Sequence, residues 1–229
     1  MSIILAIETS TELASAALLR DDQVLARESA GVQTHSQTIL PMVQSLLTQA
    51  GLTLAQCDAI AFGAGPGSFT GVRTACGIVQ GLSFGAALPV ISIVTLQAMA
   101  QACRDATGAS DVLALLDARM GEVYWAQYHY ANGWQTVIEP TLSAPAAVLP
   151  IGDVVACGNG LSAHATAFET RLFASNALPA LMPHAIHIAS LARVALAQGQ
   201  VIASHEAQPL YLRNKVALTT QERLAKVAA

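Results

Sequence analysis

The sequence predicts an α/β protein of two related lobes, each a mixed sheet flanked by helices, and three observations predict it. The first is an apolar run, residues 59–62, that enters a turn of Gly63, Gly65, Pro66 and Gly67 and empties into a helix starting near Thr70. The second is a β-hairpin at the N-terminus, so that antiparallel strands precede strand–helix crossovers, the order that builds a mixed sheet. The third is a restart of the pattern at Asp111, which places a boundary near Gly108. The lobes are then residues 1–107 and 108–204, with a tail of about 205–229 expected to pack back on the first lobe.

Taken in order, residues 3–7 form an apolar strand, Thr9, Ser10 and Thr11 a polar turn, and residues 14–19 a second strand. Asp21 and Asp22 turn the chain into a third strand, residues 23–29. Ile39, Met42, Val43, Leu46 and Leu47 recur at helical spacing within residues 34–51, and Gly51 stops that helix. After the glycine turn, Thr70 is the expected N-cap of a helix reaching Gly85. Residues 89–94 form a β-rich strand, and Thr95 is the expected cap of a further helix to about Arg104. In the second half, strands are expected at residues 112–116, 122–130, 134–138 and 154–157, with loop or short helix from Pro140 to Pro150. Gly158, Asn159 and Gly160 repeat the glycine turn, residues 188–198 read as helix, residues 209–213 as extended chain, and a short helix follows from about Thr220.

Composition narrows the function. Of 229 residues 53% are hydrophobic and only 11% charged, which leaves neutral surface suited to a stable protein partner. A net charge of −4 with two lysines, Lys215 and Lys226, gives no basic patch of the kind that holds nucleic acid unaided. The cysteines, Cys57, Cys76, Cys103 and Cys157, have neither metal-ligand spacing nor disulfide-scaffold density, so buried thiols in a reducing compartment are expected. The N-terminal MSIILAIETS lacks a basic leader region. No charge falls between Arg73 and Arg104, a stretch long enough for a bilayer, but Gln80, Ser83 and Pro89 divide it into helix, turn and strand. The expectation is a soluble, cytoplasmic protein with no membrane association.

The glycine turn is the strongest chemical signal. A glycine-rich loop feeding a helix N-terminus offers free N–H groups to an anion, while the same glycines serve equally well as a tight strand–helix turn. No Lys-Ser or Lys-Thr follows, so it is not a Walker loop, and Ser68 lacks the flanks of a nucleophile elbow. Glu8, Thr9 and Ser10 end the first strand where they can face a cleft; with Gly65, Gly67 and Ser68 they are the candidate contacts for a weakly held anion or nucleotide. His35 and Ser36 begin a helix without a third orienting group, which favours capping over nucleophilic chemistry. His184 and His187 lack a third ligand, so no metal site is expected. Asp117, Arg119 and Glu122 bracket a turn and either pair with one another or simply close the hairpin. Gly77, Gly81 and Gly85 recur every four residues, leaving a helix face without side chains that another backbone can approach, within the fold or across an interface.

Together these motifs resemble the TsaB (YeaZ) family. The resemblance rests on IETST around Glu8, HSQTILP at 35–41, AGPGSFTGVR at 64–73, DARMGEVY at 117–124, GNG at 158–160 and PLYLR at 209–213, in order along nearly the whole chain. It implies the two-lobed actin/Hsp70/sugar-kinase (ASKHA) fold, around a cleft where relatives bind ATP. In the catalytic relative TsaD, a metal-binding histidine pair follows the strand corresponding to residues 89–94. Those positions fall on Thr95 and Met99 here, so the resemblance implies no metal, no cofactor and no transfer chemistry in this chain. Glu8 stands where aspartate is commoner in the family, which counts against phosphate or magnesium binding. What it implies instead is a scaffold that binds a TsaD-like subunit and, in the complex, a TsaE-like ATPase. That complex transfers threonylcarbamoyl to adenosine 37 of ANN-reading tRNAs, with tRNA reached only through the complex. Alone, such proteins form homodimers through a bundle of first-lobe helices. On the first of these the implied interface residues are His35, Ile39, Met42, Val43 and Leu46. On the second they are Val72, Arg73, Cys76, Gly77, Gln80 and Gly81. The alternative is an ATP-binding enzyme, an ATPase or kinase, or a metalloprotease-like hydrolase of the same fold.

Overall fold

A computed structural model describes residues 2–30 and 35–213. Thr34 and the helix expected from Thr220 lie outside the described residues. The first sheet holds five strands in the order β3-β2-β1-β4-β5: β1 (Ile3–Glu8), β2 (Leu13–Arg20), β3 (Gln23–Ala30), β4 (Ala59–Gly65) and β5 (Val90–Val94). β1 and β2 run antiparallel, as do β2 and β3, while β1, β4 and β5 run parallel. The helices α1 (His35–Ala50), α2 (Phe69–Ala86) and α3 (Thr95–Thr107) are the crossovers between or after these strands.

The second sheet repeats the plan in the order β8-β7-β6-β9, from β6 (Asp111–Asp117), β7 (Val123–Tyr130), β8 (Trp134–Ser143) and β9 (Val155–Cys157). Again an antiparallel meander comes first and a parallel strand is added on the other side of its first strand. Short helices α4 (Gly160–Ala163) and α5 (Ala165–Phe168) follow, then α6 (Ala185–Ala197). This is the two-lobed, ASKHA-like fold expected.

Strand alternation divides the first core into two layers. Leu5, Ile7, Ile60 and Phe62 face α1 and α2, packing with Ile39, Val43, Leu46, Ala75 and Val79. Ile4, Ala6, Ala59 and Ala61 face the opposite way, onto Ile188, Ala189 and Ala192 of α6. So α6, though it lies within residues 108–204, packs on the first sheet. Helix α3 stands between the sheets: Ala98 joins the α6 layer, while Leu96, Met99 and Cys103 pack on Val112, Ala114 and Leu116 of β6. All four cysteines are free and buried.

Several boundaries differ from expectation for local physical reasons. β4 continues through Gly63 to Gly65, because the glycines still pair with Ile93 and Val94 across a bulge. The cap of α2 is Ser68, not Thr70; its hydroxyl accepts from the Gly71 N–H at 3.3 Å. Thr95 is the first residue of α3, and Val94 holds the cap position without a side-chain bond. β8 runs five residues beyond Ile138, to Ser143, and is an edge strand, where Pro140 is tolerated. Among the described residues no helix is long and apolar enough to cross a membrane.

Candidate functional site

Glu8, the last residue of β1, is 0% exposed. Its carboxylate accepts from the Ser10 N–H at 2.5 Å and from the Thr95 hydroxyl at 3.3 Å, and Thr95 Oγ1 in turn accepts from the Gly65 N–H at 3.1 Å. A Cβ on Gly63 would overlap this carboxylate, so glycine is required there to seat it. Glu8 thus ties β1, the glycine turn and the N-terminus of α3 together. Burial is the dominant influence on its acidity and raises its pKa above the usual 4.5, against the lowering effect of its bonds to Ser10, Thr95 and Thr9. A raised folded pKa contributes stability below pH 4.5 that is lost as pH rises through the folded value. Glu8→Gln is therefore expected to fold and to gain on the parent chain in Tm as pH increases. Melting curves of both proteins at pH 5 and pH 8 check this; parallel pH profiles would contradict it.

Between the lobes lies a cleft of about 590 Å³. Ser10, Gly67 and Ser68 line it, but Glu8, Thr9 and Gly65 do not. Thr9 is buried, its hydroxyl donating to the Gly71 carbonyl at 2.7 Å, and Gly65 lies under the Leu210 carbonyl. Half of the anticipated anion contacts are therefore structural supports of the turn. Their burial has a clear cause: the glycines at 63, 67 and 71 let the end of β1 press against the loop and the first turn of α2.

The opposite wall is the turn between β6 and β7, where Arg119, Met120 and Gly121 are all left-handed, at φ 61°, 56° and 78°. That backbone costs roughly 1–2 kcal/mol for each non-glycine residue. It is held by Asp117, whose carboxylate accepts from the Arg119 N–H at 2.9 Å and whose own N–H donates to Asn159 Oδ1 at 2.9 Å. The turn aims the Arg119 guanidinium across the cleft to Glu12 of the first lobe, at 2.9 Å, while its other nitrogen stays 3.2 Å from Asp117. The Asp117–Arg119 motif thus both closes its hairpin and makes an ion pair between lobes. Glu122 pairs instead with Arg213. The two guanidiniums lining the cleft both have carboxylate partners, which offsets their attraction for a phosphate.

No group of three His, Cys, Asp or Glu side chains among the described residues is placed to hold a metal. Thr95 is occupied as above, and Met99 is buried against the second sheet. His184 caps α6, its Nδ1 accepting from the Ile186 N–H at 3.1 Å, and reaches Glu28 at 3.2 Å. His187 lies 3.3 Å from Asp105. Burial holds both imidazoles below their usual pKa.

The residues expected to meet a partner divide by helix face. Ile39, Val43 and Leu46 of α1 and Val72 and Cys76 of α2 are buried in the first core, so their apolar periodicity marks the inner face, not a docking surface. Exposed on α2 are Arg73, Gly77 and Gly81, with Gln80 and Thr74 half-buried. Met42 is partly buried against the core, and the His35 ring donates to the Thr9 carbonyl at 3.2 Å. No atom comes within 4 Å of a Cβ built at Gly77, Gly81 or Gly85, so their bare stripe faces outward. Phe84 beside it is 83% exposed, and Leu40 and Phe69 are also exposed. These three apolar side chains went unnoticed in the sequence, although Phe84, seven residues from Gly77, falls on the glycine face. Across α1 and α2 the only formal charge is Arg73.

Duplicated mixed sheets, a cleft between them and a glycine turn at its edge define the class, a two-lobed protein of the ASKHA type. The family description "TsaD: tRNA N6-adenosine threonylcarbamoyltransferase" matches residues 20–226. The chain is 42% identical over 221 residues to the tRNA threonylcarbamoyladenosine biosynthesis protein TsaB of Escherichia coli K12, covering 93% of this chain and 96% of that protein. It is 40% identical over 225 residues to TsaB of Haemophilus influenzae, covering 93% and 94%. The solved structure of YeaZ from Pseudomonas aeruginosa superposes with a TM-score of 0.85 at 39% identity, over 93% of this chain and 100% of that one. The chain belongs to the TsaB (YeaZ) family.

Proposed function

We propose that this chain takes part in the biosynthesis of N6-threonylcarbamoyladenosine in tRNA as a non-catalytic subunit that docks a TsaD-like catalytic partner. The observation that carries the reading is the outer face of α1 and α2. It is almost free of charge, it exposes Phe84 and Leu40, and its glycine stripe is open to solvent. A stripe of that kind lets a partner helix approach at backbone distance, where apolar side chains at its rim lose water without stranding a charge. The paired arginines of the cleft and the sealed Glu8 speak for the absence of phosphate chemistry. On this reading the protein works in the cytoplasm, without metal or cofactor. It meets a TsaE-like ATPase and tRNA only inside the complex, and it self-associates through the same face when alone. The lobe of residues 1–107, closed by α6, serves as the docking unit, and the rest of residues 108–204 as its support.

The test is to mix the purified chain with a TsaD-like subunit and follow complex formation and tRNA modification together. A stoichiometric complex and stimulated modification are expected. A lack of both would remove the reading.

A further inference from the structure

The segment that follows the last short turn, residues 207–213, is anchored on both lobes. The Ala207 carbonyl accepts from the Cys76 thiol and from Gln80 Nε2 at 2.9 Å, both on α2. The Leu210 N–H donates to the Ala64 carbonyl at 2.7 Å, beside the glycine turn. Tyr211 reaches back to α2: its hydroxyl accepts from Arg73 Nε at 2.7 Å, and its ring lies 6.1 Å from that of Phe69. The Arg73 guanidinium is stacked on Phe69, 3.3 Å from the ring centroid, with the Tyr211 ring 5.2 Å away. Beyond this stack the segment changes lobes. Leu212 packs with the second core beside Tyr124, and Arg213 pairs with Glu122 and touches the Met120 sulfur.

We propose that residues 207–213 are a strap that couples the interlobe cleft to the exposed face of α2, with Arg73 and Arg213 at its two ends. Its meaning for partner binding rests on the docking role given to α2; the coupling itself does not. The physical grounds are that the strap lines the cleft from Leu210 to Arg213 and takes its side-chain anchors on the first lobe from the helix that carries the glycine stripe. The Arg73 contact joins a cation–π stack on Phe69 to a hydrogen bond with the Tyr211 hydroxyl, two attractions where a lone surface ion pair has one. A shift of the β6–β7 turn therefore pulls on Arg73 through only two residues, Leu212 and Tyr211.

Coupling is reciprocal, so each end should be felt at the other. Amide hydrogen exchange on the full chain alone provides the test, with Arg213→Ala, Arg73→Ala and, as a control, Arg193→Ala. Arg193 bonds Asp21 and Asp22 on the first lobe, away from the strap. Arg213→Ala is expected to speed exchange in residues 71–80 on the order of fivefold or more, and Arg73→Ala to do the same in residues 117–123. Arg193→Ala should leave both regions at parental rates. Changes confined to the mutated lobe would overturn the strap, as would equal acceleration by the control, which would signify general loosening. With no TsaD-like subunit present and the chain dilute enough to be monomeric, this outcome is independent of whether docking on α2 is correct.

Discussion

Gly71→Ala is expected to destabilise the protein by about 3 kcal/mol or more, although glycine-to-alanine exchange inside a helix ordinarily stabilises. A Cβ at Gly71 would overlap the Thr9 carbonyl oxygen. That oxygen has nowhere to retreat: it accepts from the His35 ring, and the Thr9 hydroxyl is bonded to the Gly71 carbonyl. Relieving the overlap means separating β1 from the first turn of α2, which breaks the seat of Glu8 and the packing beneath it. Set against a total stability of about 5–15 kcal/mol, such a loss is a large fraction. The urea midpoint measures it. Gly77→Ala and Gly81→Ala on the same helix are expected to raise that midpoint by about 0.5–1 kcal/mol equivalent, since their added methyl groups meet nothing. A midpoint for Gly71→Ala at or above the parent would show that the close approach is not obligatory.

Gly81→Trp is expected to weaken association with the TsaD-like subunit by at least about tenfold while leaving the fold intact. The indole would stand on an open face, so folding has no reason to fail. At an interface where a partner backbone lies against the glycines, the same ring holds the helices apart and separates Phe84 from its contacts. Titration calorimetry or sedimentation gives the affinity, and the melting temperature reports the fold. Unchanged affinity would place the docking surface elsewhere. An affinity loss accompanied by unfolding would instead mean that the stripe packs internally, against the open geometry.

The fold was largely legible because its signals are local. Apolar runs such as Ile3–Glu8 and Asp111–Asp117, the Asp21–Asp22 turn and the glycine turns name strands and their ends within a few residues. The family was legible as well, because the motifs at 64–73 and 117–124 occur together. The site was less so. Thr95 looks like a helix cap, but its hydroxyl is engaged by Glu8, 87 positions away, a partner no local pattern can name. Periodicity identified the apolar face of α1 alone, and the resemblance assigned Ile39, Val43, Leu46, Val72 and Cys76 to an interface although the first core holds them. Phe84 is missed for the opposite reason: its one signal is its seven-residue spacing from Gly77, which a search for apolar repeats passes over.

The position of α6 bears on how the chain is made. One layer of the first core, the one containing Ile4, Ala6 and Ala61, is closed by side chains from Ile188 to Ala192, and Leu210 bonds the end of β4. During synthesis the N-terminal half leaves the ribosome with that sheet face covered only in part, by Ala98 of α3. It must wait for residues 185–210, and an N-terminal fragment ending at residue 107 would present the apolar layer to solvent and aggregate. The second sheet, by contrast, takes both its layers from residues 94–182 apart from Leu212, so it is complete while the first is still half covered. Vectorial synthesis therefore favours maturation of the later lobe first, with the earlier one sealed last.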